Sequence, residues 1–123
     1  MLKLLLDEHI SPRVAAGLRR RSRTLVVHAM AEWEGGNFLG QEDATCLREA
    51  TAQELTLATY DQRTIMTLLK AWAEEGRSHG GVIFVDEKTI SQAEIGRLVI
   101  SLSRLVKVAG DWDWTNRIVF LRR

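Results

Sequence analysis

The stretch Leu2-Lys3-Leu4-Leu5-Leu6-Asp7-Glu8-His9-Ile10-Ser11-Pro12-Arg13 holds a strand, a polar turn and a helix start in immediate succession. The leucine run is apolar without alternation, the pattern of a strand covered on both faces. Ser11-Pro12 reads as a helix N-terminus. Serine can accept from the first free N–H groups, and proline at the first helical position has no N–H to leave unpaired. Val14, Ala15 and Leu18 then fall on one helical face, which carries the helix to about Arg20. A doubly covered strand that runs straight into a helix is the first half of a βαβ unit.

The same alternation continues along the chain. A second strand is predicted over 24–28, and a glycine-containing loop over 34–41. Residues 42–53 form a helix with Ala44, Leu47 and Ala50 inward, and 55–59 a third strand. Ile65, Leu68, Leu69 and Trp72 place a helix over 63–75, closed by Gly76. A fourth strand is predicted over 81–85 and the longest amphipathic helix over 92–109. Residues 117–121 make a fifth, edge strand. Strands alternating with helices imply right-handed crossovers and a parallel sheet covered on both sides. The predicted fold is therefore α/β, a three-layer α/β/α sandwich with a mainly parallel sheet of about five strands, in one domain over 1–123. Strand order 2-1-3-4-5 is preferred because it makes strands one and three neighbours, with ligands expected at the strand carboxyl ends.

Composition agrees. The chain has 123 residues, 46% hydrophobic and 27% charged, as in an ordinary globular domain. The one cysteine, Cys46, allows no internal disulfide and suits a reducing, cytoplasmic setting. The longest stretch without Asp, Glu, Lys or Arg is eight residues, which is too short for a membrane span. The Leu4–Leu6 run ends in Asp7-Glu8 and is too short for a secretory segment. Net charge is +1, but it is distributed unevenly. Residues 1–30 carry six cations and two anions, 31–61 one and seven, and 62–123 ten and seven. An acidic middle between basic ends suits a metal-dependent enzyme acting on a polyanion, but charge alone favours solvated helix faces.

The carboxylates sharpen that choice. Asp7 and Glu8 follow the first strand, Asp61 follows the third, and Asp43 opens the helix leading into the third. Aspartate at a strand end is also a common turn or capping residue. Three acids brought to one crevice would repel each other and raise one another's pKa unless a cation joined them. Hard oxygen donors without a histidine cluster suit Mg²⁺ or Mn²⁺ better than zinc.

The sequence Leu5-Leu6-Asp7-Glu8-His9-Ile10-Ser11-Pro12, the Asp43 helix and Ala58-Thr59-Tyr60-Asp61 together resemble the short PIN-like proteins. These are compact relatives of the PIN-domain ribonucleases, which include VapC-type toxins. The resemblance spans residues 2 to about 85, more loosely to the C-terminus. It implies a Mg²⁺- or Mn²⁺-dependent endoribonuclease of single-stranded RNA, the toxin of a toxin–antitoxin pair, with a cognate antitoxin and a homodimer as protein partners. Asp7, Asp43 and Asp61 match the metal-binding aspartates, and Thr59 the threonine that orients carboxylate or water. The family's further glutamate has no clear counterpart; Glu8 and Glu42 are the candidates to stand in. Thr64 stands where the family often has phenylalanine.

Arg13 and Arg63, each at a helix start, are the expected phosphate contacts, with His9 beside the acidic pair. Arg19, Arg20, Arg21 and Arg23 read rather as the solvated end of the first helix, where cations suit the dipole. His28 and His79 lack metal-ligand spacing. Cys46 reads as a small core residue, and at least one of Trp112 and Trp114 as packing. Two other readings remain. One is a non-catalytic PIN-like module that binds RNA or protein. The other is a signalling receiver domain, which needs Ser or Thr ending strand four and Lys-Pro after strand five; this chain has Val85-Asp86 and no proline beyond Pro12.

Overall fold

A computed structural model describes all residues 1–123. Five strands, β1 (Leu4–Leu6), β2 (Val27–Ala29), β3 (Thr56–Thr59), β4 (Val82–Val85) and β5 (Ile118–Leu121), alternate with four helices. These are α1 (Pro12–Arg21), α2 (Asp43–Ala52), α3 (Gln62–Glu74) and α4 (Ile95–Ala109). The strands form one all-parallel sheet in the order β2-β1-β3-β4-β5. This is the expected three-layer sandwich, with β1 and β3 side by side and the direction of strand addition switching between them.

Alternation within each strand divides the core in two. Leu4, Leu6, Ala58, Ile83 and Val85 face α1 and α4, meeting Val14, Leu18, Leu98 and Leu102. Leu5, Leu57, Val82 and Phe84 face α2 and α3, meeting Leu47, Ile65, Leu69 and Trp72. Gly17 sets how closely α1 and α4 approach: a Cβ there would stand 2.8 Å from Cγ2 of Val99.

Element ends differ from the predicted ones where local hydrogen bonds compete. The second strand begins at Val27, because Arg23 and Thr24 form a turn that the Leu25 N–H closes on the Ser22 carbonyl at 3.4 Å. Residues 91–94 close a turn in which the Ser91 N–H donates to Glu94 Oε1 at 3.0 Å, so α4 begins at Ile95 rather than 92. Within the 34–41 loop region lies a single 3-10 turn, Trp33–Gly36, with Trp33 buried.

One topological expectation fails. With all strands parallel, α1 carries the chain one way along the sheet and α2, α3 and α4 carry it the other. Uniform handedness would put α2, α3 and α4 on one face. Instead α4 lies beside α1, so the β4–α4–β5 crossover has the opposite hand to the first three, against the strong right-handed rule. The reason is coverage. Three helices on one face would leave α1 alone over the other, with Ile83 and Val85 bare. The return to β5 is fixed below the sheet: the Leu2 N–H donates to the Gly110 carbonyl at 2.7 Å, and the Trp114 indole N–H to the Ala109 carbonyl at 2.9 Å. Trp114 is buried against Gly81, whose φ of +98° and lack of Cβ let the Trp114 backbone pass.

Candidate functional site

The β1 and β3 carboxyl ends lie together because Leu6 pairs with Ala58. Asp7 is the next residue on β1, and its N–H donates to the Ala58 carbonyl at 3.0 Å. Thr59 is the next residue on β3, fully buried, and its hydroxyl donates to Asp7 Oδ2 at 2.6 Å. The Glu8 N–H donates to Asp7 Oδ1 at 2.8 Å. Asp7, itself buried, is thus held through both oxygens. A buried carboxylate needs such donors, and an O–H···O⁻ bond of this length is in the charge-assisted range.

Thr59 serves a second partner: its Oγ1 accepts from the Asp61 N–H at 3.0 Å. Asp61 then caps α3, with Oδ1 accepting from the Thr64 N–H at 3.0 Å. The capping role of Asp61 is therefore real, and it leaves Oδ2 facing outward from this bond. Asp43 occupies the first position of α2, where the helix dipole favours an acid.

Asp43 ties the cluster together electrically. Its carboxyl is pushed above the ordinary range, by partial burial first and then by the negative charges of Asp7, Asp61 and Glu8, with His9 opposing weakly. Asp7, Asp43, Asp61 and Glu8 therefore share one field at the β1/β3 switch point. Glu8 is among the charges acting on Asp43, and Glu42, adjacent to it in the chain, is not. Glu8 and His9 are exposed beside Asp7.

Arg13 and Arg63 lie in the first turns of α1 and α3, exposed and in no salt bridge. Both helices start at the strand carboxyl ends, so both cations rim the acidic crevice. Arg19 to Arg23 sit at the far end of α1, away from it. Arg19 there donates to the Val27 carbonyl at 2.8 Å and pairs with Glu32 at 3.6 Å.

Cys46 is the small core residue expected, and the charges of the crevice reach it. Cys46, one turn beyond Asp43, has its thiol pushed up to about 11 by burial and by Asp43, Asp7 and Glu8. Burial and the neighbouring carboxylates both oppose a thiolate there. Tyr60 has a buried hydroxyl without a hydrogen-bond partner. The helical spacing of Asp43 and Cys46 signals their proximity; burial and then Glu87 and Glu94 act on the Tyr60 hydroxyl, and not the acids of the crevice.

Asp7, Asp43, Asp61 and Glu8 supply hard oxygen donors of the class that suits Mg²⁺ or Mn²⁺. As the side chains stand, no three Asp, Glu, His or Cys groups converge closely enough to hold an ion. The donor chemistry suits such an ion, but the side chains as placed do not form a ligand set for it. No helix is long and apolar enough to cross a membrane. No family model, curated protein or solved structure matches the chain.

Proposed function

We propose that the chain is a Mg²⁺- or Mn²⁺-dependent endoribonuclease of the PIN-like type, acting on single-stranded RNA. The observation that carries this reading is the hydrogen-bonded chain Asp7–Thr59–Asp61 at the carboxyl ends of adjacent parallel strands, beside which burial first, and then the charges of Asp7, Asp61 and Glu8, hold the Asp43 carboxyl above its ordinary range. Like charges near one another at a ligand crevice are unfavourable without a cation, and perturbed carboxyls cluster at functional sites. A divalent ion bound there would supply a water that ionises near neutral pH and would neutralise charge on the phosphate.

The protein's own groups have separate tasks. Asp7 is fixed by Thr59 and the Glu8 N–H, so its oxygens are oriented before ligand arrives. Asp61 is fixed by its capping bond and by Thr59. Asp43 and Glu8 add the negative charge that draws a cation in. Arg13 and Arg63 meet phosphates on either side, helped by the positive ends of their helices. A single strand suits this open rim because its bases need no groove of fixed shape. In the same reading the protein is the toxin of a toxin–antitoxin pair, silenced by its antitoxin.

A second reading, a non-catalytic RNA- or protein-binding module, is favoured by one observation: three donors do not converge. The discriminating experiment is cleavage of a labelled unstructured RNA with Mn²⁺ or Mg²⁺, beside EDTA and the Asp7→Asn and Asp61→Asn proteins. Cleavage lost in all three controls supports the nuclease. Folded protein that cleaves nothing with either metal supports the binding module.

A further inference from the structure

The opposite hand of the last crossover has a consequence at the far edge of the sheet. With α4 on the α1 face, no helix covers β5 on the α2/α3 face. Ile118 and Phe120 point to that side, following the register that pairs Val82 with Ile118 and Phe84 with Phe120. They remain 38% and 46% exposed, and Phe120 is supported only from within, its ring stacked at 5.6 Å on Phe84. Beside them runs a groove of about 770 Å³ between α3 and β5, with Met66, Leu69 and Ile118 among its walls.

β5 is also an open edge. The Arg117 and Leu121 carbonyls accept from Val82 and Asp86 on the β4 side. Backbone groups alternate along a strand, so Ile118 and Phe120 turn their N–H and C=O groups outward. The strand Ile118-Val119-Phe120-Leu121 carries no charge or proline to blunt this edge.

The surrounding charge selects the occupant. The charged side chains lining the groove are Lys70 and Arg77, with His79 and no carboxylate. Arg117 precedes the strand, and Arg122 and Arg123 follow it. Arg77 is itself paired with Glu75 at 3.4 Å, while Lys70 is in no salt bridge. Antiparallel pairing of β5 with a second copy would bring the Arg122–Arg123 end of one strand beside Arg117 of the other at both ends, and like charges across strands disfavour it.

We propose that the β5 edge and the adjoining groove receive an extended segment of a partner protein, apolar at alternate positions and carrying carboxylates, added as a sixth strand. Main-chain bonds to Ile118 and Phe120 would give affinity, and cover over Phe120 together with the arginines would give selectivity. This goes beyond the nuclease reading and involves none of its residues.

The test uses the full chain and a short labelled peptide of alternating valine and glutamate, with a valine–lysine peptide as its counterpart. Fluorescence anisotropy should show binding of the acidic peptide and at least about tenfold weaker binding of the basic one. Phe120→Lys and Arg122→Glu, both at exposed positions, should each weaken the acidic peptide about tenfold while leaving the melting temperature close to wild type. Amide exchange at Ile118 and Phe120 should slow on binding, which side-chain contact alone would not produce. The proposal is overturned by no binding, by equal binding of the two peptides, or by protection confined to other segments. It is also overturned by light scattering that shows a dimer dissociated by Phe120→Lys, since a second copy would then own the edge.

Discussion

Thr59→Val tests whether the buried hydroxyl organises the acidic crevice. Thr59 is 0% and Asp7 8% exposed, and the bond between them is 2.6 Å. Hydrogen bonds to charged groups contribute about 1.5–3 kcal/mol net. Valine keeps the shape, so no cavity adds to the cost, and its methyl recovers a few tenths of a kcal/mol of burial. The Asp61 N–H loses its acceptor too, but Asp61 is only half-buried and water can replace that bond at small cost. The expected destabilisation is about 2 kcal/mol. With a urea slope of about 1–3 kcal/mol per molar, the midpoint should fall by about 1 M with the slope unchanged. Thr67→Val is the control: its exposed hydroxyl bonds the Arg63 carbonyl one helical turn back, and it should cost under about 0.5 kcal/mol. If Thr59→Val is as mild as Thr67→Val, Asp7 is not held by this hydroxyl and the description of a fixed first carboxylate is wrong.

Three further outcomes are expected. Asp43 has its folded pKa raised above the unfolded value, so the folded state keeps its proton longer and stability falls as pH rises from the ordinary carboxylate range through the raised value. Asp43→Asn should therefore gain stability over wild type at pH 7 and lose that advantage near pH 3, as followed by thermal melts; a gain equal at both would remove the charge explanation. Mn²⁺ should raise the wild-type melting temperature in a concentration-dependent way, with about 2.7 kcal/mol at a hundred times its Kd, and should do so less in Asp7→Asn; identical shifts in the two proteins would place the ion elsewhere. Gly17→Ala gains up to about 1 kcal/mol in helix propensity but drives a Cβ to 2.8 Å from Val99 in a packed interface. The crowding should win, lowering stability by about 1 kcal/mol in denaturant unfolding, and Val99→Ala in the same chain should restore it.

How far the sequence could be read depended on how local the cause was. The Leu4–Leu6 run, Ser11-Pro12 and the apolar stripe of α4 each depend on neighbours a few residues away, and each marks its element. Ser91-Gln92-Ala93-Glu94 is a local signal that was misread: the helical pattern was extended through a turn that Glu94 closes on Ser91. The strand order followed from local elements plus the preference for adjacent β1 and β3. The hand of the last crossover did not, because it depends on how four helices share two faces of a sheet, and no window of sequence carries that balance. The site divides in the same way. Asp7, Glu8, Asp43 and Asp61 were visible because each adjoins a strand or helix end. That the charge of Glu8 reaches Asp43 is a tertiary fact, set by the β1 turn and the start of α2.

The two unusual features of this molecule lie at different parts of the sheet and do not depend on each other. The neighbouring carboxylates arise from the β1/β3 neighbourhood, which the first three crossovers build. The bare β5 face arises from the fourth, which sends α4 to the other side. A disruption of β5 should therefore leave the electrostatics of Asp43 as they are. Phe120→Lys adds a cation beyond β4, two strands away from the switch point between β1 and β3. At physiological salt, screening over about 8 Å leaves such an exposed charge little influence there. Carboxyl titration of Asp43 by NMR should be the same in wild type and Phe120→Lys, whereas Asp7→Asn should move it down toward the ordinary range. If Phe120→Lys shifted Asp43 as far as Asp7→Asn does, the repulsion would belong to the general field of the protein and not to the four acids at the switch point, and the strongest support for a cation site there would be gone.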